Sequence, residues 1–384
     1  MTMATILLAI LWLLIILHAT GAFMTLCNAV RYRDVMVHLD ADRIAHQPFQ
    51  PKISLIIRCN PQTDHQPIQQ IQQALALNYA LYELILIVDS QRQPAIFNEV
   101  IRFFELKPYP FPEGLNQLRY PVQGYYRSRE SYYKRLTVID KGFYPDDDLR
   151  YTGAAVCKAD YILFVRSLDN ELIRNSLANL AIMKMRSPRE HVSSIRGVAR
   201  YECSGPFFKN IFRMLMDICN LRRIYVSGKF RNNDFGQFVT LEDISGKKGR
   251  EEVIPQPQMY VHRQNNFRNY LNQLAPHLRY KTRVGRWVSY MELLISLTFW
   301  GSIVHVIATP GIVNDDFRFL LTALLLPLLA SAFSILVGEI FLKPGISIGF
   351  VLRLLLLSIL EALLFCVFQP VAWITSQFTK RREV

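Results

Sequence analysis

Residues 52–90 read as strand, helix, strand, and this order limits the fold more than any other feature of the chain. "KISLIIRC" (52–59) is a β-rich apolar run bounded by Pro51 and Asn60-Pro61. "HQPIQQIQQALALNY" follows and sets Ile68, Ile71, Ala74, Leu75 and Leu77 on one side of a helix. "YELILIVDS" is a second apolar run, ending at Asp89-Ser90. Two buried strands joined by one helix pair in parallel through a right-handed crossover. Open parallel sheets bind ligands beyond the carboxyl ends of their strands. Asn60 and Asp89 sit at such ends. So does the loop of a third run, "YILFVRSLDNEL" (161–172), in which Ile162 to Val165 fill a strand and Arg166-Ser167-Leu168-Asp169 follow it.

The two ends of the chain have a different character. The first thirty residues carry no Asp, Glu, Lys or Arg. A helix that spans a bilayer takes about 20 apolar residues. The reading taken is an uncleaved anchor over residues 1–30; the alternative, a cleaved signal peptide, needs the basic start that this run lacks. Towards the other end, 288–313 has one charge (Glu292), 319–337 has none, and 346–373 has two (Arg353 and Glu361). These are three further hydrophobic segments in a membrane region spanning 286–384, of which the first and third either cross, re-enter or lie in the interface.

Between the ends lies a block, 31–285, expected to be cytoplasmic because Arg31 and Arg33 directly follow the first run. The C-terminal Lys380, Arg381 and Arg382 also prefer the inside, which four crossings do not allow, so one C-terminal segment is expected not to cross. The net charge of +13 fits a basic face towards anionic lipid or nucleotide phosphates. Nothing in the chain reads as a nucleic-acid motif. The six cysteines form no C-x-x-C pair, which argues against a disulfide framework or a thiolate metal site and fits a reduced domain.

A family resemblance is carried by several of these stretches. "LNYALYELILIVDSQRQPAI" (77–96) resembles the first nucleotide-binding segment of family-2 glycosyltransferases, closest to the ceramide glucosyltransferase branch, in Asp89 followed by Pro94, Ala95 and Ile96. The resemblance extends, with gaps, over most of the chain. It implies an α/β fold of the GT-A type with flanking transmembrane helices, a nucleotide-sugar donor, and a lipid or growing-glycan acceptor. On position alone, Asp89 either caps the following helix or belongs to a site; the resemblance makes it a nucleoside contact beside Asn60.

The family's metal motif is a strand followed by Asp-x-Asp. Counted back from Leu172 and Leu177, Asp169 falls on the second acid and Ser167 on the first; counted forward from Tyr161, Arg166 falls on the first and Leu168 on the second. The first carboxylate is missing on either count. Asp169 is the expected ligand of Mg²⁺ or Mn²⁺, which take hard oxygen donors. Arg166 can pair with phosphate in place of part of the metal's charge, or with a local acid.

"TLEDI" (240–244) resembles the family's Glu-Asp motif, which makes Asp243 the general base on the acceptor hydroxyl, with Glu242 beside it. "RVGRW" resembles the motif that closes the catalytic domain, with Arg283 and Arg286 on the diphosphate and Trp287 near the acceptor; a plain juxtamembrane anchor is the alternative. "GPFFKNIFRMLMDICNLRR" (205–223) reads as a core helix or as an interfacial helix that guides a lipid. Segment 108–150 stands where the family has a short stretch and receives no function. The expectation from the sequence is a bacterial inner-membrane, inverting glycosyltransferase, with other subunits of an envelope glycan machinery as further partners. The alternative is a catalytically inactive glycosyltransferase-like subunit that scaffolds a glycan or lipid assembly.

Overall fold

The structure is a computed structural model. It describes residues 50–59, 66–118, 120–142, 146–186, 192–201, 207–227, 238–244, 249–261, 266–274 and 347–380, together with scattered helical positions in between. The chain divides into two compact units. One comprises 36–200 and 237–262, the other 1–35, 201–236 and 263–384.

The first unit is a mixed α/β sheet. Its strands are β1 (Ile53–Arg58), β2 (Tyr82–Val88), β3 (Leu106–Pro108), β4 (Gly124–Ser128), β5 (Leu136–Asp140), β6 (Tyr161–Val165), β7 (Glu171–Leu172), β8 (Val192–Tyr201), β9 (Phe238–Asp243) and β10 (Arg250–Val261). Their order across the sheet is β3-β4-β5-β2-β1-β6-β9-β8-β10-β7. The centre is parallel: Ile53 pairs with Tyr82, Leu84 with Leu136, and Ile53 with Tyr161. The βαβ reading of 52–90 therefore holds, with α1 (Pro67–Leu75) as the crossover. Strands β4 and β9 run antiparallel to β5 and β6 and flank this centre.

These strands are apolar on both faces because helices cover both. Alternate residues of β2 turn to opposite sides. On one side Tyr82 donates its hydroxyl to the Ala74 carbonyl of α1 (3.0 Å). On the other, Ile85 and Ile87 join Ile56, Ile139 and Ile162 in a cluster with Leu149 and Val156 of α3 (Asp146–Val156). Helix α3 lies close to the sheet at Gly153, where an added Cβ would come within 2.4 Å of Ile56 Cδ1. Helix α2 (Pro94–Phe103) follows β2, and α4 (Ser176–Arg186) follows β7. Segment 108–150, read from the sequence as an insertion without a role, supplies β4, a central parallel strand in β5, and the first part of α3.

In the second unit, α5 (Ile211–Ser227), α6 (Phe267–Leu274) and α7 (Ile348–Lys380) pack together. Phe212, Phe267, Tyr270 and Phe368 stack along their contact. The Asp217 carboxylate of α5 is buried and accepts the Tyr201 amide (3.2 Å). The expected flanking transmembrane helices are not supported: among the described residues, no helix is long and apolar enough to cross a membrane. Most of 1–30, 288–313 and 319–337 lies outside the described residues; 346–373 coincides with α7, a 33-residue helix with Pro370 inside it.

Candidate functional site

Four adjacent parallel strands, β5, β2, β1 and β6, end at one edge of the sheet, and α1, α2 and α3 begin just beyond it. A helix start offers unpaired N–H groups and a positive dipole end, so this edge suits anions. What each strand delivers there follows from the residue after its last apolar position.

β2 delivers Asp89, which is 2% exposed. Its Oδ1 accepts the amides of Gln91 and Arg92, each at 3.1 Å, and its Oδ2 lies 3.7 Å from Arg92 Nε. Its carbonyl accepts the Gln93 amide (2.8 Å). These bonds shape the turn into α2, whose N-cap residue Gln93 makes no side-chain cap of its own. The capping role weighed from position alone is thus the one its described bonds serve.

β5 delivers Asp140, a residue the sequence reading passed over. It is opposite Val88 in register, and its Oδ1 accepts the Ser90 amide (2.9 Å). The next residue, Lys141, is fully buried and donates from Nζ to Thr152 Oγ1 of α3 (2.6 Å). Burial, reinforced by the Asp140 charge, pushes the nearby Tyr126 hydroxyl above its ordinary pKa. The signal was present: "LTVID" is an apolar run closed by an acid, like "LILIVD" before it.

β6 delivers the loop Arg166–Asn170. Arg166 is exposed and Asp169 half-buried. Asp169 Oδ1 accepts Gln70 Nε2 from α1 (2.8 Å), and its amide donates to Ser167 Oγ (3.3 Å). Leu168 and Leu177 are buried, while Leu172 is half-buried in β7 and paired with Met259 of β10. The loop is held on both sides, since the Ile173 amide donates to the Gln258 carbonyl (3.1 Å). β2 and β6 lie on either side of β1, so the strand ends that lead into Asp89 and into the Arg166–Asn170 loop stand about 10 Å apart across the sheet at the usual strand spacing.

Asp243 and Glu242 are not brought to this edge. β9 runs antiparallel to β6, and its register sets Asp243 opposite Tyr161, where β6 begins. Five strand steps, about 16 Å, separate that position from Arg166. Glu242 forms an ion pair with Arg150 of α3. The physical reason is strand direction: an acid at the end of an antiparallel neighbour lies at the amino end of the parallel strands. Asn60, Arg283, Arg286 and Trp287 lie outside the described residues.

Among the described residues, no group of three or more His, Cys, Asp or Glu side chains is placed to hold a metal ion. Asp169 offers one carboxylate, with Oδ1 already accepting from Gln70. Mg²⁺ takes six oxygens in near-octahedral geometry. These residues do not make a metal site by themselves; an ion fits only where phosphate oxygens complete its shell.

No protein-family model matches the chain, and no curated protein matches it. Solved structures of glycosyltransferases are among its structural neighbours. The S. aureus TarS structure covering 1–349 is 10% identical, with 87% of this chain and 92% of that one covered and a TM-score of 0.32. The mannosyltransferase PcManGT from Pyrobaculum calidifontis, in complex with GDP-Man and Mn²⁺, is 12% identical, with coverages of 96% and 98% and a TM-score of 0.36. The same TarS segment in complex with UDP has a TM-score of 0.29 at 10% identity, with the same coverages of 87% and 92%.

Proposed function

We propose that the carboxyl edge of β5-β2-β1-β6 binds the nucleotide of a nucleotide-sugar donor, and that the chain is a GT-A type glycosyltransferase acting on a lipid-linked or growing-glycan acceptor. The observation that carries this reading is the convergence of Asp89, Asp140 and the Arg166–Asp169 loop at one sheet edge, where three helices begin. The resemblance of 77–96 to the family's first nucleotide-binding segment supports it. In this reading Asp89 and Asn60 hold the nucleoside, and Arg166 neutralises part of the diphosphate charge. Asp169, together with phosphate oxygens, holds Mg²⁺ or Mn²⁺, which supplies charge neutralisation of the departing diphosphate. The hydrophobic ends attach the chain to a bacterial inner membrane, with the sugar-binding domain on the cytoplasmic side.

A second reading, a catalytically silent glycosyltransferase-like subunit in an envelope assembly, is favoured by one observation: Asp243 lies at the amino end of β6 and not at the carboxyl edge. Transfer requires a base that takes the acceptor's hydroxyl proton as its oxygen attacks the anomeric carbon and the nucleoside diphosphate leaves.

One experiment separates the readings. Calorimetry of UDP and GDP against the purified full chain, with and without Mn²⁺, tests the edge; turnover of the matching radiolabelled nucleotide sugars tests transfer. Binding together with turnover supports the transferase. Binding without turnover selects the silent subunit. If neither nucleotide binds, the edge is not a nucleotide site.

A further inference from the structure

The 33-residue helix α7 is polarised the wrong way round for water. Its exposed large apolar residues are Ile348, Leu352, Leu356, Leu363 and Val371, with Leu356 63% and Ile348 80% exposed. At 100° per residue they fall within an arc of about 140°. The opposite face is buried and carries Ser358, Glu361 and Gln369 among Leu354, Leu357 and Ala372. A surface helix in water turns its polar face outwards and its apolar stripe to the core. Here an ionisable residue and two further polar ones face inwards, while the outer stripe is apolar. Among the described side chains of the helix, the charged exception outside is Arg353, at the margin of the arc in the second turn.

The same inversion recurs elsewhere in this unit. Trp12, Ile16, Phe23 and Val30 are helical and exposed, as are Leu297 and Trp300. Ser296 and Glu339, also helical, are buried. Trp300 donates its indole N–H to the Val367 carbonyl of α7 (3.4 Å). Inward ionisable residues and outward apolar ones are what a hydrocarbon solvent selects.

We infer that the Ile348–Val371 stripe of α7 is a lipid-contact surface whose occupant is the acyl-chain region of a bilayer. The spread of the inversion over three chain segments argues for hydrocarbon over a second copy of the chain, which would need to cover only one of them. This inference rests on the membrane-attachment part of the proposed function and not on sugar transfer.

The test is nitroxide accessibility in the full chain, its cysteines replaced by alanine, reconstituted in phosphatidylcholine and phosphatidylglycerol vesicles. Leu352→Cys, Leu356→Cys and Leu363→Cys are labelled singly. Tyr132→Cys, at a residue 89% exposed in the other unit, serves as the water control. The expected result is frequent collision with oxygen and little with a polar nickel chelate at the three α7 sites, and the reverse order at 132. Chelate collision at the α7 sites means water covers the stripe and overturns the inference. Low collision with both means protein covers it and also overturns it. Vesicle flotation separates this from failure of membrane attachment: a chain that floats yet shows chelate contact loses the stripe assignment alone. If the cysteine-free chain does not incorporate, Leu356→Trp in the native chain with acyl-brominated lipid gives the same answer: quenching beyond that of the parent supports lipid contact, and none overturns it.

Discussion

Asp89 offers the sharpest separation of a structural from a binding role. It has two substitutions with different consequences. Asp89→Ala removes the acceptor for both the Gln91 and Arg92 amides, each at 3.1 Å. Both residues are exposed, so water can reach these amides, and the loss is that of a cap, about 0.5–2 kcal/mol. The Arg92 pair adds little, because Arg92 is 66% exposed and such pairs contribute about 0–1 kcal/mol. The sum is about 2 kcal/mol, or roughly 4–8 °C in melting temperature for a domain of this size. Asp89→Asn keeps a carbonyl oxygen where Oδ1 accepts, so its melting temperature stays within about 2 °C of the wild type by the same arithmetic. If Asp89 also holds a nucleoside, the lost charge costs a charge-assisted hydrogen bond of about 1.5–3 kcal/mol, a fall of roughly 10- to 100-fold in nucleotide affinity. Thermal melting by circular dichroism and nucleotide calorimetry on both variants measure the two quantities. Two results refute the reasoning. Equal melting losses in both variants exclude the oxygen acceptor as the stabilising element. Wild-type affinity in Asp89→Asn leaves Asp89 as a cap alone.

Three further outcomes are expected. Asp169→Asn removes the metal dependence of nucleotide binding, and Arg166→Ala weakens binding with or without metal; adding EDTA to the wild type reproduces the first and not the second, by calorimetry. Alkaline stability falls early. Burial first, and the Asp160 charge second, push the Tyr79 hydroxyl far above its ordinary value near 10. Above pH 10 the unfolded chain therefore releases a proton that the folded chain keeps, and stability declines as pH rises; Tyr79→Phe shows a shallower decline in urea midpoints between pH 9 and about 11, although it loses the 2.6 Å bond to the Pro51 carbonyl. Gly153→Ala gains about 1 kcal/mol of helix propensity but crowds Ile56 Cδ1 at 2.4 Å and Cγ1 at 2.7 Å, for a net loss of about 0–2 kcal/mol; Ile56→Val, which removes Cδ1, recovers part of that loss in the double variant.

The sequence by itself determined the local elements and the residues that end them. β1, α1, β2 and β6 were legible because their apolar periods are strong and their boundaries carry Pro, Asn and Asp. The acids at the ends of β2 and β6 were legible for the same reason, since in a parallel sheet the residue after a buried run falls at the ligand edge. Sequence could not settle what those acids touch. Asp89 reads as cap or site until the Gln91 and Arg92 amides are seen on its Oδ1, and Gln70 reaches Asp169 from a residue 99 positions away. Only the tertiary structure decided strand order and direction. It made β5 a central strand and brought Asp140 beside Ser90. It also reversed β9, which carried Asp243 to the far end of β6. Register and direction are set by long-range pairing and by which face finds a helix to cover it, and a hydrophobic run reads the same in either direction.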